Sequence, residues 1–326
     1  MDYRYLGKTG IKVSPICLGT AFRGQTDENV SIRTIERALD LGINFIDSAL
    51  YGGGKSETLV GKALKGKREN VILTTKIFGT IGNSPNHSGL SRINLIRGVE
   101  ASLKRLQTDY IDVYLCHAFD EHTALDETIS TLDDIVKQGK VRYIGCSNFP
   151  VWKVMESLWI SDRRNLESFV CLQYQYNLLN RTDLEPELMP LCRQHGLGMM
   201  SYSPLAIGLL TGRFRRGQPP PPGTPWSDEP VPGLARSTYP YEQAMTEQVD
   251  NIVQTLIDLG EKYDKTPAQV AVAWIIDHDE ITAPILGADI PEHVEEVVGA
   301  SGWSLEPEDR AALDDVSTPI SRQKYA

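Results

Sequence analysis

The chain predicts an α/β fold of the (β/α)8 TIM-barrel class, one domain over residues 1–326, with an N-terminal hairpin and a long loop after strand 7. Three observations carry that prediction. Short β-rich runs alternate with helical patterns along the whole chain, the signature of βα units in a parallel sheet. Eight such runs are present, several of them apolar without strict alternation, as strands covered on both faces are. A length of 326 residues is ordinary for one closed barrel. An open doubly wound sheet is the structural alternative, and both architectures place ligands at the carboxyl ends of the strands.

The elements follow in order. Tyr3–Leu6 and Ile11–Val13 flank the turn Gly7-Lys-Thr-Gly10 and read as a hairpin that plugs the amino-terminal end of the barrel. The barrel strands are expected at Pro15–Gly19, Asn44–Ser48, Val71–Ile77, Tyr110–His117, Val141–Asn148, Phe169–Tyr174, Gly198–Ser203 and Ile281–Gly287. Helices are expected at Val30–Leu41, from Ser56 onward, and at Ile93–Leu106, Leu125–Val136, Trp152–Ile160, Glu187–His195 and Gln248–Tyr263. Pro267–Ile276 follows, with Thr266 as cap and Pro267 in the first turn; then come Pro291–Val298 and Glu306–Leu313. Gly217–Gly233 is too rich in proline for a helix or central strand. A long loop inside a compact domain is usually a lid or disordered, and this one falls where a barrel places active-site loops.

Composition narrows the function. The net charge is −10 with no basic block, so phosphate backbones are repelled and no nucleic-acid partner is expected. No run of eighteen apolar residues occurs, so no membrane span is expected. The amino terminus lacks the apolar core of a signal peptide, which points to a cytoplasmic protein. Cys17, Cys116, Cys146, Cys171 and Cys192 are odd in number, and four lie in apolar strand-like runs; they read as reduced, buried thiols rather than nucleophiles.

Polar residues collect at the strand ends. Asp47 ends the second strand and Tyr51 follows it; Lys76 ends the third and His117 the fourth; Ser147 and Asn148 end the fifth, Gln173 the sixth, Tyr202 and Ser203 the seventh. A barrel brings these ends to one mouth. A lysine at the end of an apolar strand is costly unless paired, and Asp47 is its natural partner. A phenol, with a reference pKa of about 10, is a poor proton donor near neutrality until a nearby cation stabilises its phenolate. A histidine can orient a carbonyl oxygen beside it. Such a group suits hydride transfer from a nicotinamide to a carbonyl carbon. Each residue also has a plain structural reading: Asp47 as a helix cap, Tyr51 as a rim aromatic, Lys76 as a surface charge, His117 as a satisfied strand-end residue or, with Asp120 and His122, a metal ligand. Four chemically matched groups at consecutive strand ends weigh against those readings.

These same residues carry a resemblance. Tyr5-Leu-Gly-Lys-Thr-Gly-Ile-Lys-Val-Ser14, Leu18-Gly-Thr20, Gly42-Ile-Asn-Phe-Ile-Asp-Ser48, Tyr51-Gly-Gly-Gly-Lys-Ser-Glu57, Thr74-Thr-Lys76, Asp109-Tyr-Ile-Asp-Val-Tyr-Leu-Cys-His117, Gly139-Lys-Val-Arg-Tyr-Ile-Gly-Cys-Ser-Asn-Phe149, Gln173-Tyr-Gln-Tyr-Asn177, Ser201-Tyr-Ser-Pro-Leu205 and Gly208-Leu-Leu-Thr-Gly212 together resemble the aldo-keto reductases nearly end to end. The pattern is most similar to the bacterial and potassium-channel-β-like branches. The resemblance implies a carbonyl or alcohol substrate, NADP(H) as cofactor with NAD(H) as the alternative, and a protein that acts alone or as an oligomer. It implies that Tyr51 is the general acid, Lys76 its modulator, Asp47 the partner of Lys76 and His117 the orienter of the carbonyl. It further implies that Gly19 and Thr20 border the cofactor, that Ser147, Asn148 and Gln173 hold the carboxamide, and that Tyr202 stacks on the nicotinamide. Ser203, Pro204, Leu205, Gly208 and Leu210 would wrap the pyrophosphate, and Gly287, Asp289, His293 and Glu296 would hold the adenosine end.

Two departures stand out. The step from Asp47 to Tyr51 is four residues, one shorter than the family's usual step, so the turn must be tighter. Asp289 stands where members that grip a 2′-phosphate often carry Lys or Arg; a carboxylate repels phosphate and accepts from a 2′-hydroxyl. Val297 also replaces a frequent adenine-binding asparagine, for which His293 is a partial substitute. The substrate pocket is expected from Phe22, Phe78, Phe119, Trp152 and the proline-rich loop.

Two rival readings remain at this level. Ala49-Leu-Tyr-Gly-Gly-Gly-Lys55-Ser56 nearly fits the phosphate-loop pattern of nucleotide hydrolases between a strand and a helix, but it leaves Lys76, His117 and Tyr202 without roles. A non-catalytic nicotinamide-binding subunit is the second rival. A Rossmann dinucleotide domain is disfavoured, since no G-x-G-x-x-G follows the first strand.

Overall fold

The computed structural model describes residues 1–80, 82–182, 184–232, 234 and 236–318. An antiparallel pair comes first, β1 (Arg4–Tyr5) and β2 (Lys12–Val13). Then follow β3 (Cys17–Gly19), α1 (Glu28–Asp40), β4 (Phe45–Asp47), α2 (Lys55–Ala63), β5 (Ile72–Ile77), α3 (Arg92–Leu106), β6 (Ile111–Cys116), α4 (Leu125–Lys137), β7 (Val141–Ser147), α5 (Val151–Arg164) and β8 (Phe169–Gln175). The chain continues with α6 (Met189–His195), β9 (Gly198–Tyr202), α7 (Tyr241–Ala244), α8 (Glu247–Tyr263), α9 (Pro267–Ile276), β10 (Ile281–Gly287), α10 (Pro291–Val298) and α11 (Pro307–Val316). The eight strands β3 to β10 close into a barrel in which β10 pairs with both β9 and β3, and every pairing is parallel. The predicted (β/α)8 architecture with its N-terminal hairpin is therefore the observed one.

Two apolar cores result. One lies between the barrel wall and the helices. The other fills the barrel interior with Cys17, Phe45, Val113, Leu115, Cys171, Met200, Ala283 and Ile285, joined by Leu6 and Val13 of the hairpin. The hairpin is thus a plug. Arg4 fastens it by donating to the carbonyls of Ile276 and Ile281 at 2.8 and 3.2 Å. Gly7 permits its approach: with φ of 55°, a Cβ there would stand 2.6 Å from both Gly196 O and Gly198 N, so only glycine fits.

Helix starts follow their capping residues. Ser91, Thr246 and Thr266 each accept at the starts of α3, α8 and α9, and Thr266 with Gln269 forms a full capping box. The helix expected from Glu187 opens instead as a wider π-helical turn at Leu184–Leu188 and becomes α-helical at Met189. The proline-rich loop is observed as loop through Pro232; Gly233, its expected end, lies outside the described residues. It is packed rather than loose. Trp226 is buried, its indole N–H donates to Ile207 O at 3.0 Å, and its ring meets Tyr241 at 6.2 Å. None of the described helices is long and apolar enough to cross a membrane.

Candidate active site

The carboxyl ends of β4, β5, β6 and β8 bring four side chains together. Asp47 ends β4 and Lys76 sits near the end of β5, both almost fully buried. Lys76 Nζ lies 2.7 Å from Oδ1 and from Oδ2 of Asp47, and 2.8 Å from Ser48 O. All three ammonium hydrogens thus have acceptors. Asp47 Oδ1 also accepts from Thr74 Oγ1 at 2.6 Å and from Gln173 Nε2 at 3.0 Å. Burial pulls the lysine's pKa down, but the Asp47 carboxylate, together with Tyr51, outweighs it and holds the ammonium above its ordinary range.

Tyr51 reaches this pair despite the short link from Asp47. Lys76 Nζ stands 5.8 Å from the Tyr51 ring centre, and the His117 ring meets Tyr51 edge-on at 6.2 Å and 83°. The turn is made by Gly52, Gly53 and Gly54 at φ 59°, 67° and 94°, the left-handed region that glycine alone enters freely. It runs straight into α2. Burial first, then the Lys76 cation, push the His117 pKa down from 6.5 to about 4. The imidazole is neutral at physiological pH, so it offers one N–H and one bare nitrogen.

Beside this cluster lies a polar rim. Asn148, at φ 57°, donates to His117 O at 3.1 Å and to Ser147 Oγ at 3.0 Å, and accepts from the Tyr202 hydroxyl at 2.9 Å. Gln173 is buried with its amide nitrogen turned to Asp47. Past Tyr202 the backbone takes positive φ at Ser203, Ala206, Ile207 and Gly208. Three of these residues are left-handed in succession, and the N–H groups of Ala206, Gly208 and Leu210 are turned inward to Ser203 O and Leu205 O. Pro204 and Leu210 are buried, while Leu205 packs against the outer core. The polar rim and the aromatic ring beside it fit the carboxamide end of a dinucleotide.

The remaining expected residues are less exposed or farther along. Thr20 is fully buried and its hydroxyl is engaged with Asp47 O at 3.0 Å and Ser56 Oγ at 2.9 Å. Gly19 closes β3, where a Cβ would stand 2.9 Å from Ile285. Gly287 is exposed at the end of β10. Asp289 accepts from Gly24 N at 3.3 Å, and burial raises its pKa. His293 is exposed on α10, and Glu296 fastens α10 to α9 through Gln269 Nε2, which donates to its carbonyl at 2.8 Å.

Several alternatives lose their geometry. In the phosphate-loop reading the Ser56 hydroxyl must face a metal ion, yet it is buried against Ser48 and Thr20. Asp120 is spent on Leu90 N, His122 N and Thr123 Oγ1, and among the described residues no His, Cys, Asp and Glu group could hold a metal. All five cysteines are free and buried, and burial pushes Cys116, Cys171 and Cys192 up to about 12. Trp152, expected in the pocket wall, is exposed at the start of α5, as are Met155 and Trp159 farther along that helix. Sequence reasoning also missed Thr74, Thr75, Glu57 and Arg105, which support the site. Glu57 gives a signal in hindsight, since Glu57, Val60, Gly61 and Leu64 share one buried stripe of α2 and the residue that follows it.

Comparison with known proteins agrees with this geometry. The model of the "Aldo/keto reductase family" matches residues 15–318. The "Uncharacterized oxidoreductase YrpG" of Bacillus subtilis (strain 168) is 37% identical, over 97% of this chain and 96% of its own. The "Probable voltage-gated potassium channel subunit beta" of Arabidopsis thaliana is 32% identical over 91% of this chain and 90% of its own. The "Putative voltage-gated potassium channel subunit beta" of Schizosaccharomyces pombe is 34% identical over 99% and 96%.

Proposed function

The chain belongs to the aldo/keto reductase family, and from that premise we propose that it is an NAD(P)H-dependent enzyme reducing an aldehyde or ketone to an alcohol, reversibly. One observation carries the reading: the sealed Asp47–Lys76 ion pair beneath Tyr51 and a neutral His117. A bound nicotinamide supplies the hydride. Tyr51 delivers the proton to the carbonyl oxygen as negative charge develops there. Lys76, kept cationic by Asp47, stabilises the phenolate left behind. His117 donates its one N–H to the same oxygen and orients the carbonyl. Ser147, Asn148 and Gln173 hold the carboxamide, Tyr202 faces the ring, and the turn from Ser203 to Leu210 takes the pyrophosphate. Gly287, Asp289, His293 and Glu296 take the adenosine end, while Gly19 and Thr20 border the nicotinamide side. The carbonyl enters past Phe22, Phe78, Phe119 and the proline-rich loop.

A panel of aldehydes and ketones run with NADPH and NADH in parallel tests the reading. Tyr51→Phe is expected to lower kcat by about 10²–10⁴-fold while cofactor binding stays within twofold. Retained turnover in that variant contradicts the assignment of Tyr51. The relatives named as channel subunits favour a second reading, a non-catalytic nicotinamide-binding subunit. Tight cofactor binding with no turnover of any carbonyl would select it.

A further inference from the structure

Tyr51 and Lys76 ride on different elements, and Glu57 joins them. Tyr51 is carried by the glycine turn that runs into α2; Lys76 is carried by β5. Glu57 lies in the first turn of α2 and is wholly buried. Its Oε1 accepts from Thr75 Oγ1 at 2.6 Å, and Thr75 is the residue next to Lys76. Its Oε2 accepts from Arg105 Nε of α3 at 2.6 Å. The stem of Arg105 in turn lies against the last glycine of the turn: a Cβ on Gly54 would stand 2.6 Å from Arg105 Cδ. One carboxylate therefore fixes the start of α2 against the lysine's strand and against α3.

A buried ion pair is a poor choice if stability alone is wanted. Desolvation takes back most of its Coulombic gain, and apolar residues of similar volume hold helices together as well. What the pair offers is direction, through short charge-assisted hydrogen bonds of fixed geometry. The turn needs it. Three consecutive glycines leave the backbone after Tyr51 with wide freedom, so the phenol is only as well placed as the anchor that follows. Ser56 holds the same turn on its other side, through Ser48 Oγ at 2.8 Å and Thr20 Oγ1 at 2.9 Å.

We infer that Glu57, acting through Thr75 and Arg105, is a positioning residue that sets where the Tyr51 phenol stands relative to Lys76. It touches no reacting atom. The inference rests on Tyr51 being the general acid.

Thr75→Val tests it, because it removes the hydroxyl tie at similar side-chain shape and leaves the Glu57–Arg105 pair in place. Misplacing a reacting group by about 1 Å costs on the order of 100-fold. Thr75→Val is therefore expected to lower kcat by about 10- to 100-fold and to move the pH profile of kcat. The Kd of the reduced nicotinamide, read by fluorescence titration, stays within twofold, and Thr75→Ser restores kcat. All are measured at a temperature where circular dichroism shows each variant folded. An active wild type with Thr75→Val unchanged in kcat and pH profile overturns the inference alone. So does a folded variant that loses cofactor binding in step with kcat, which marks a structural role. A wild type that turns over no carbonyl overturns the functional reading, and this inference with it.

Discussion

Lys76 Nζ sits 2.7 Å from both carboxylate oxygens of Asp47, with neither side chain reaching solvent. Removing one partner leaves the other charge buried and uncompensated. Lys76→Met is therefore expected to destabilise the fold by about 3–5 kcal/mol, and Asp47→Asn/Lys76→Met by less than the single change. Urea unfolding of the three proteins checks the order. Because the folded lysine's pKa is raised above its ordinary 10.5, the pair's contribution is complete below that value and is lost as pH climbs through the folded one. The wild type should weaken with alkali above about pH 10.5 more steeply than the double variant.

His117 behaves in the opposite direction. Its pKa falls from 6.5 to about 4 in the fold, so the unfolded chain binds the proton first as pH drops. Its contribution to stability is present above 6.5 and is lost toward about 4. His117→Gln should flatten that acid slope. Proton NMR should show the imidazole of the wild type still neutral at pH 5; a midpoint near 6.5 would remove the case for a neutral orienter.

Asp289 should govern cofactor choice. Its carboxylate stands just past the end of β10, half buried; in the proposed reading it would disfavour a second phosphate and accept from a ribose hydroxyl. Asp289→Ser is expected to shift the ratio of NADPH to NADH affinity toward NADPH by at least tenfold. Fluorescence titration with each dinucleotide decides it, independently of turnover, and an unchanged ratio places the 2′ position elsewhere.

Trp226 should anchor the proline-rich loop. Truncating a buried tryptophan costs about 3–5 kcal/mol when the site cannot collapse. If the loop opens instead, the cost appears locally. Trp226→Ala is expected to speed trypsin cleavage at Arg215, Arg216 or Arg236 at least fivefold, and to raise KM for bulky carbonyls more than for small ones. Equal cleavage rates in the two proteins would show that the loop is held by other contacts.

The barrel was legible in the sequence because its strands are apolar on both sides and its helices announce their caps. Boundaries drifted by a residue or two: the run Tyr110–His117 is strand over Ile111–Cys116, with His117 N still donating to Ile77 O, and Pro15 and Ile16 lead into β3 without joining it. The four-residue α7 carries too little periodicity to stand out. In the site, Asp47 and Lys76 were readable because an ammonium in an apolar strand demands a counter-ion. The supporting layer was not. Thr75 points away from Lys76, as successive residues of a strand do, and its link to Glu57 and Arg105 joins three elements that no local spacing relates.

The seam of the barrel joins β3 to β10, Cys17 with Ile285 and Gly19 with Gly287. The first and last strands of the ring are thus neighbours in space and strangers in sequence. A ribosome must release Gly287 before the ring can shut, and until then the nascent sheet has two open edges that invite pairing with other chains. Such distant pairing makes for slow, late-committing folding. Cell-free synthesis arrested before Ile281 should yield a chaperone-bound, protease-sensitive chain, and arrest a ribosome-tunnel's length beyond Gly287 a resistant one.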